Sequence, residues 1–183
     1  RAYTNAETFT AKMGIYHFGP EAIRKGQLTW QLESESGEIA ASGKLGHKEI
    51  PFSTVDSLGV IHIPLDKITI AGRYTLKARI AGNIRNEWDI WVYPRNAQLM
   101  QSDTEVLYTT EFGEQAKQYL AAGKKVVLTP APNKVKGRKS TFHNHFWNPI
   151  MFAWAPMTIG CLIHAEQPVF ADFPTSYHTD WQL

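Results

Sequence analysis

Alternation of apolar and polar residues runs through the first half of the chain. Residues 27–33 and 74–80 alternate strictly, with the period of two that a half-buried β-strand requires. We therefore expect one face of each strand to lie in the interior of a folded domain. The residues predicted to face this interior are Leu28, Trp30, Leu32, Leu76, Ala78 and Ile80.

Apolar runs and turn signals divide the rest of this half into further short strands. The other predicted strands are residues 8–16, 39–45, 60–65 and 87–93. Turns are indicated at residues 36–37, 71–72 and 81–83, each of which contains glycine. Short strands with regularly spaced turns are typical of an antiparallel sandwich of the immunoglobulin type. We predict an all-β, immunoglobulin-like β-sandwich for residues 1–95.

A strand–helix–strand order follows a change of pattern at Pro94. Two short apolar runs flank a stretch that is rich in helix formers and ends at Gly123, the expected C-terminal cap. The three elements are residues 106–110, 114–122 and 125–129. This order implies parallel strands joined by a crossover, and therefore an α/β domain.

The predicted α/β domain, residues 96–183, has too few strands to cover a sheet on both faces. Beyond residue 130 only residues 157–164 favour a strand, and a helix is favoured from Thr175 onward. We therefore expect a partial domain that is truncated at its C-terminus or completed by another segment. Its open apolar surface predicts that the fragment self-associates.

The composition is that of an ordinary globular protein and argues against two classes of partner. Hydrophobic residues make up 43% of the 183 residues, charged residues make up 20%, and the formal net charge is +2. This balance gives no electrostatic reason for binding nucleic acid or an anionic membrane, and no apolar run is long enough to span a bilayer. We expect neither nucleic acid nor membrane as a partner.

Three stretches resemble a known family. Residues 86–94, NEWDIWVYP, resemble the closing strand of a β-sandwich near the C-terminus of glycoside hydrolase family 2 proteins, the β-galactosidase-like group. Residues 146–149, FWNP, and 167–182, QPVFADFPTSYHTDWQ, resemble the segment that follows this sandwich. That segment is similar in outline to a flavodoxin-like, class I glutamine amidotransferase-like domain.

The resemblance implies a non-catalytic accessory region of a bacterial glycoside hydrolase that acts on polysaccharide or glycoconjugate. Such an enzyme is exported, so the implied location is periplasmic or extracellular. The partners would be other domains of the parent enzyme, with the catalytic barrel before Arg1. The family's two catalytic glutamates match no position in this sequence, so the resemblance carries over no catalytic residue, and no cofactor is expected. Whether the chain itself is an enzyme stays open.

Sugar binding is the site hypothesis that the residue types favour. Pyranose rings stack their C–H faces on tryptophan, and neighbouring polar groups bind the hydroxyls. The candidate sugar-contacting residues are His143, His145, Trp147, Asn148 and Trp154. A carbohydrate-binding module is therefore the second interpretation, although packing explains the two tryptophans better.

A thiol nucleophile would make the chain an independent hydrolase, which is the third interpretation. Cys161 follows a glycine at the end of a predicted strand, and His178 is the candidate base. A nucleophile turn has glycine on both sides of the strained residue, whereas Leu162 follows here. A small cysteine buried in the core explains the position better.

Histidines and carboxylates give two weaker candidates. His143 and His145 would lie on one side of a strand, where zinc can bind them with a third ligand such as His164 or His178. A polar loop explains them better, and we predict no metal site. A hydrolase that uses a histidine-bound metal belongs to the third interpretation. Asp89 is predicted to accept structural hydrogen bonds in a half-buried strand.

Overall fold

The computed structural model describes residues 1–81, 83–95, 104–137, 151 and 161–179. Within these residues the chain forms nine β-strands and one α-helix. It divides into two compact units, Arg1–Arg95 with Gly160–Leu183 and Asn96–Ile159. The division into 1–95 and 96–183 did not anticipate that the last residues group with the first unit.

The first unit is a β-sandwich. Its strands are β1 (Ala2–Thr4), β2 (Thr8–His17), β3 (Ile23–Ser34), β4 (Ile39–Ile50), β5 (Thr54–Pro64), β6 (Gly72–Ile80) and β7 (Ile84–Tyr93). One sheet has the order β1-β7-β6-β3-β4, and the other is the pair β2-β5. The neighbours are antiparallel except β1, which lies parallel to β7.

The interior of the sandwich is formed by the alternate residues that the sequence predicted. Leu28, Leu32, Leu76, Ala78 and Ile80 are all buried, and the half-buried Trp30 packs against the same cluster. The opposite sheet contributes a second buried set, formed by Phe9, Met13, Ile61 and Ile63. Burial of this apolar surface, at about 25 cal/mol per Å², is the main favourable term in folding.

Trp30 requires a glycine on the neighbouring strand. It lies directly opposite Gly43 in the β3–β4 pair. A Cβ atom at Gly43 would lie 2.6 Å from Cζ2 and 2.8 Å from Cε2 of Trp30. The indole therefore occupies the space that any other residue would fill, which is a known way for an aromatic ring to cover a strand glycine.

The C-terminal segment, defined here as residues 161–179, contacts the end of β7 through aromatic rings. Tyr93 stacks on Phe173 with ring centroids 4.4 Å apart, and its other neighbour is Trp91 at 6.4 Å. The Tyr93 hydroxyl donates a hydrogen bond of 2.9 Å to the carbonyl oxygen of Pro174. This stack explains why the segment groups with the sandwich.

The second unit contains one parallel strand–helix–strand element, as predicted. Strands β8 (Val106–Thr109) and β9 (Lys125–Leu128) pair in parallel, and helix α1 (Glu114–Ala121) connects them. Gly123 follows the helix with φ +74°, as a left-handed cap requires. Of the helix's apolar stripe only Ala116 is buried, and Leu120 is exposed. A larger sheet of the flavodoxin or amidotransferase type is not seen within the described residues.

Two predictions for the C-terminal segment need correction, and a third is only partly covered. Residues 175–179 form no helix, because Tyr177 and Thr179 make backbone hydrogen bonds with Ile163 and Cys161 instead. Cys161 is exposed and not a core residue. The strand predicted for residues 157–164 falls partly outside the described residues, and within them Leu162 forms a single bridge to His178.

Membrane insertion finds no support in the helices. The described part of the chain includes no helix with the length and apolar character that crossing a bilayer requires.

Replacing Gly43 with alanine should destabilise the sandwich. The added methyl group overlaps the indole of Trp30, so the free energy of unfolding should fall by about 1–3 kcal/mol. Gly72→Ala is the matched control, because a Cβ atom there meets nothing within 4 Å. Urea unfolding followed by tryptophan fluorescence measures both. Equal effects of the two substitutions would contradict the packing of Trp30 over Gly43.

Tyr93 should make the stability of the sandwich depend on alkaline pH. Burial raises the pKa of Tyr93 from 10.0 to about 12, so the folded state holds its proton more tightly than the unfolded state. Its contribution is complete below pH 10 and is lost as the pH rises from 10 toward 12. Tyr93→Phe should lower stability at neutral pH by about 1 kcal/mol, because the hydrogen bond to Pro174 is lost.

The same substitution should flatten the decline of stability between pH 10 and 12. A smaller slope remains, since burial also raises the pKa of Tyr74. The exposed Tyr108 provides the control for loss of a tyrosine hydroxyl, and Tyr108→Phe should leave the stability at neutral pH unchanged. Chemical unfolding at stepped pH values measures the three proteins. A Tyr93→Phe profile parallel to that of the unmodified chain would show that Tyr93 is not responsible.

Candidate functional site

The outer face of the five-stranded sheet carries polar side chains in rows. The strand register aligns Lys44, Thr29, Arg79 and Arg85 as successive cross-strand partners on β4, β3, β6 and β7. All four residues are exposed. Directly paired residues project from the same side of a sheet, so three cationic side chains share one row. We call Lys44, Arg79 and Arg85 the cationic row.

The next row mixes a cation with an acid and two neutral groups. Its members are Ser42, Gln31, Lys77 and Glu87. The ammonium group of Lys77 lies 2.7 Å from Oε1 of Glu33, which belongs to the row beyond. The pKa of Glu33 lies below its usual value, mainly because Lys77 donates a hydrogen bond to its carboxylate. The positive charge of Lys77 and a hydrogen bond from Gln31 lower this pKa further, whereas burial opposes the shift.

The carboxylates further along the face form ion pairs and hydrogen bonds with neighbouring side chains. Arg73 lies 2.6 Å from Glu35 and 3.6 Å from Asp89. The hydroxyl of Thr75 donates a 2.7 Å hydrogen bond to Asp89, which confirms the structural role predicted for this aspartate. These groups neutralise each other at the surface, where such pairs contribute only about 0–1 kcal/mol.

A depression of about 740 Å³ lies over the first two rows. It is lined by residues 29–31, 77–79 and 85–87, three consecutive residues from each of β3, β6 and β7. Alternation directs the odd-numbered residues of this block outward, so that its walls are formed mainly by polar and charged side chains. This surface can accept a polar ligand by hydrogen bonds and charge.

The sugar-contacting candidates lie outside the described residues. They are His143, His145, Trp147, Asn148 and Trp154. Their role in binding glycan stays a prediction. Of the other tryptophans, Trp91 is buried, whereas Trp88 is 44% exposed and does not belong to the core.

The arrangement of Cys161 and His178 does not form a nucleophile–base pair. His178 lies opposite Leu162 in an antiparallel bridge, and Thr179 bonds to the carbonyl oxygen of Cys161. Neighbouring residues in extended pairing project to opposite sides, so the thiol and the imidazole point away from each other. Nor do three potential metal ligands come together anywhere among the described residues.

The cationic row was not predicted from the sequence. The last strand was expected to begin at Glu87, whereas β7 begins at Ile84 and includes Arg85. The register between β6 and β7 sets Ile80 opposite Ile84, and therefore Arg79 opposite Arg85. In the sequence, Arg79 and Arg85 lie at equal distances from the turn predicted at residues 81–83, and this spacing could have indicated their pairing.

Two family profiles match the chain. One, described as a domain of unknown function (DUF8488), matches residues 7–94, and another, described as a domain of unknown function (DUF8487), matches residues 107–183. The first match coincides with most of the β-sandwich. The second includes both the strand–helix–strand element and the C-terminal segment.

A comparison with curated proteins gave no match. The similar solved structures include the crystal structure of a β-glucuronidase (GUS) from Parabacteroides merdae. That match is 17% identical with a TM-score of 0.34, and it covers 48% of this chain and 12% of the enzyme. The chain therefore spans about an eighth of the length of that structure.

Proposed function

We propose that the chain is a non-catalytic accessory region of an exported bacterial glycoside hydrolase. Its role would be to hold other domains of that enzyme in position around the substrate. The resemblance of residues 86–94, 146–149 and 167–182 to family 2 glycoside hydrolases supports the enzyme class. The location of such an enzyme would be periplasmic or extracellular.

The observation that carries this proposal is an exposed apolar patch at one end of the sandwich. Tyr16 and Val55 are direct cross-strand partners on β2 and β5, and they are 76% and 63% exposed. Phe18 follows β2, Phe52 precedes β5, and both are more than half exposed. We call these four residues the end patch. Large apolar side chains gathered on a surface are typical of an interface with another protein domain.

The end patch lies at the end of the sandwich away from the point where β7 finishes. Strand β7 runs away from this end and reaches Tyr93 and Arg95 at the other. The sandwich would therefore contact a neighbour at its far end, as a spacer between domains does. Inter-domain contacts of this kind bury roughly 600–1,500 Å².

The proposal also includes the fold type of each part, an immunoglobulin-like sandwich and a partial α/β domain. A first strand parallel to the last, in a sheet ordered β1-β7-β6-β3-β4 opposite a β2-β5 pair, supports an immunoglobulin-like sandwich. The parallel β8–α1–β9 element supports a partial flavodoxin-like or amidotransferase-like domain. The exposed Val127 and Leu128 support the expectation that another segment completes its sheet.

Carbohydrate binding is the second candidate function. The polar depression on the outer sheet face favours it, since a sugar offers many hydroxyls to such a surface. This function is compatible with the first, because accessory domains of polysaccharide-degrading enzymes can bind the substrate without cleaving it.

The chain by itself should not hydrolyse glycosides. The proposal assigns the two catalytic carboxylates to another domain, so purified chain should give no turnover of nitrophenyl galactosides or glucuronides. The natural full-length protein, assayed beside it, should release nitrophenol from at least one aryl glycoside. Turnover by the chain alone would overturn the non-catalytic assignment.

Polar substitutions in the end patch should weaken the full-length protein and leave the chain itself intact. Tyr16→Ser with Phe52→Ser removes two exposed rings, so the isolated chain should change in stability by less than about 0.5 kcal/mol. In the full-length protein the same changes should lower the Tm of the domain that contacts the patch, together with its glycosidase activity.

Ile70→Ser is the matched control, because Ile70 is 69% exposed and lies in the loop between β5 and β6, away from the patch. Differential scanning calorimetry of the chain and the full-length protein separates the two effects. If the patch variant and the control behave alike in the full-length protein, the end patch is not an interdomain contact.

A further inference from the structure

The cationic row contains a like-charge contact that the fold does not need. Arg79 and Arg85 are direct cross-strand partners, so their Cβ atoms lie about 4.5–5.5 Å apart. Like charges in this position destabilise a sheet. Within the described residues, neither arginine nor Lys44 has a carboxylate at ion-pair distance. A mobile anion between the guanidinium groups would remove the repulsion.

The surroundings of the cationic row offer hydrogen-bonding side chains that suit a ligand with both hydroxyl groups and charge. The depression of about 740 Å³ begins at this row and extends over Gln31, Lys77 and Glu87. Lys77 is already neutralised by Glu33 at 2.7 Å. Of the cations in these two rows, only those of the cationic row are therefore left without a carboxylate partner among the described residues, and neutral or acidic acceptors and donors lie beside them.

We propose that the cationic row, with the adjoining depression, binds an acidic glycan through its carboxylate or sulfate groups. A guanidinium group holds planar or tetrahedral oxyanions with two parallel hydrogen bonds, which makes Arg79 and Arg85 the primary contacts. Gln31 and Glu87 receive the sugar hydroxyls. The choice of a glycan as the carrier of the anion rests on the proposed function.

The spacing of the row fits a repeating anion. Lys44 and Arg79 are separated by two strand intervals, roughly 10 Å in all, because neighbouring strands lie about 4.8 Å apart. A polysaccharide that carries one acidic group per one or two sugars presents its charges at comparable intervals. One chain laid across the strands can therefore contact Lys44 and the two arginines together.

Acidic residues next to the row argue against nucleic acid. Glu87 lines the depression, and Glu33 and Asp89 occupy the following row. A phosphate backbone with a charge at every nucleotide would meet these carboxylates, and stacking aromatic side chains, which single strands use, are missing from the outward-facing residues of the depression. Neutral glycans also rely on such rings, so the charged glycan is the better match.

Binding is tested on the full chain with pairs of probes that differ only in charge. Oligogalacturonate and its methyl ester test the carboxylate, and dextran sulfate and dextran test the sulfate. Isothermal titration calorimetry at low and high salt should show salt-sensitive binding of the charged member of at least one pair and none of its neutral partner. A single-stranded oligonucleotide serves as the competing macromolecule.

Arg79→Gln with Arg85→Gln should weaken the binding by about tenfold or more, since charge-assisted hydrogen bonds are lost. The same variant should unfold at the same or a higher temperature without ligand, because the like-charge contact is gone. Its thermal stabilisation by the charged probe should disappear. Lys12→Gln with Lys67→Gln removes two exposed cations elsewhere on the sandwich and should bind as the unmodified chain does.

Three outcomes would overturn the proposal: equal binding by the arginine variant, equal binding of charged and neutral probes, or tighter binding of the oligonucleotide. Failure here is separate from failure of the proposed accessory role. The end-patch variant tests domain contacts in the full-length protein, and its chain should keep full affinity for the charged probe.

Discussion

The alternation of side chains along β3 and β6 links the interior of the sandwich to its outer surface. The register that sets Leu32 opposite Leu76 in the core also sets Thr29 opposite Arg79 on the outer face. A shift of one residue would expose the leucines and bury the charges, so the hydrophobic interior selects a single register. The positions of the polar rows are therefore a consequence of core packing, and they need no further interaction to hold them in line.

Two aromatic side chains fix neighbouring parts of the chain to the sheet. Trp30 closes the interior over Gly43, where it replaces the missing side chain of β4. Tyr93 holds the C-terminal segment against the end of β7. It stacks on Phe173 and donates a hydrogen bond to Pro174, about eighty residues later in the chain. A long-range contact of this kind closes a large loop, and its enthalpy and buried area must offset the entropy lost in that closure. This explains why a ring stack, with a part-buried hydroxyl, occurs at the contact.

Local periodicity predicted the elements whose burial is complete, and it failed where a distant partner decides the structure. Strands β3 and β6 were predicted correctly because each carries its own alternating pattern. Ala2–Thr4 was missed, since three residues form a strand only by pairing with β7. Thr175 onward had helical propensity, yet pairing with residues 161–163 prevailed. The pairing of Arg79 with Arg85 depends on the register across a turn, which propensity does not supply.

Exposed positions on a completed sandwich are free to carry residues that cost stability. The interior supplies most of the favourable free energy, and a surface substitution usually changes it by less than about 0.5 kcal/mol. A sequence under selection for stability alone would nonetheless set opposite charges across β6 and β7, as it does where Lys77 faces Glu87 one row away. Arginine facing arginine at the adjacent position is the exception to that pattern. Because the same two strands show both arrangements, the backbone does not account for the difference, and binding of an anion at the cationic row is the explanation that we propose.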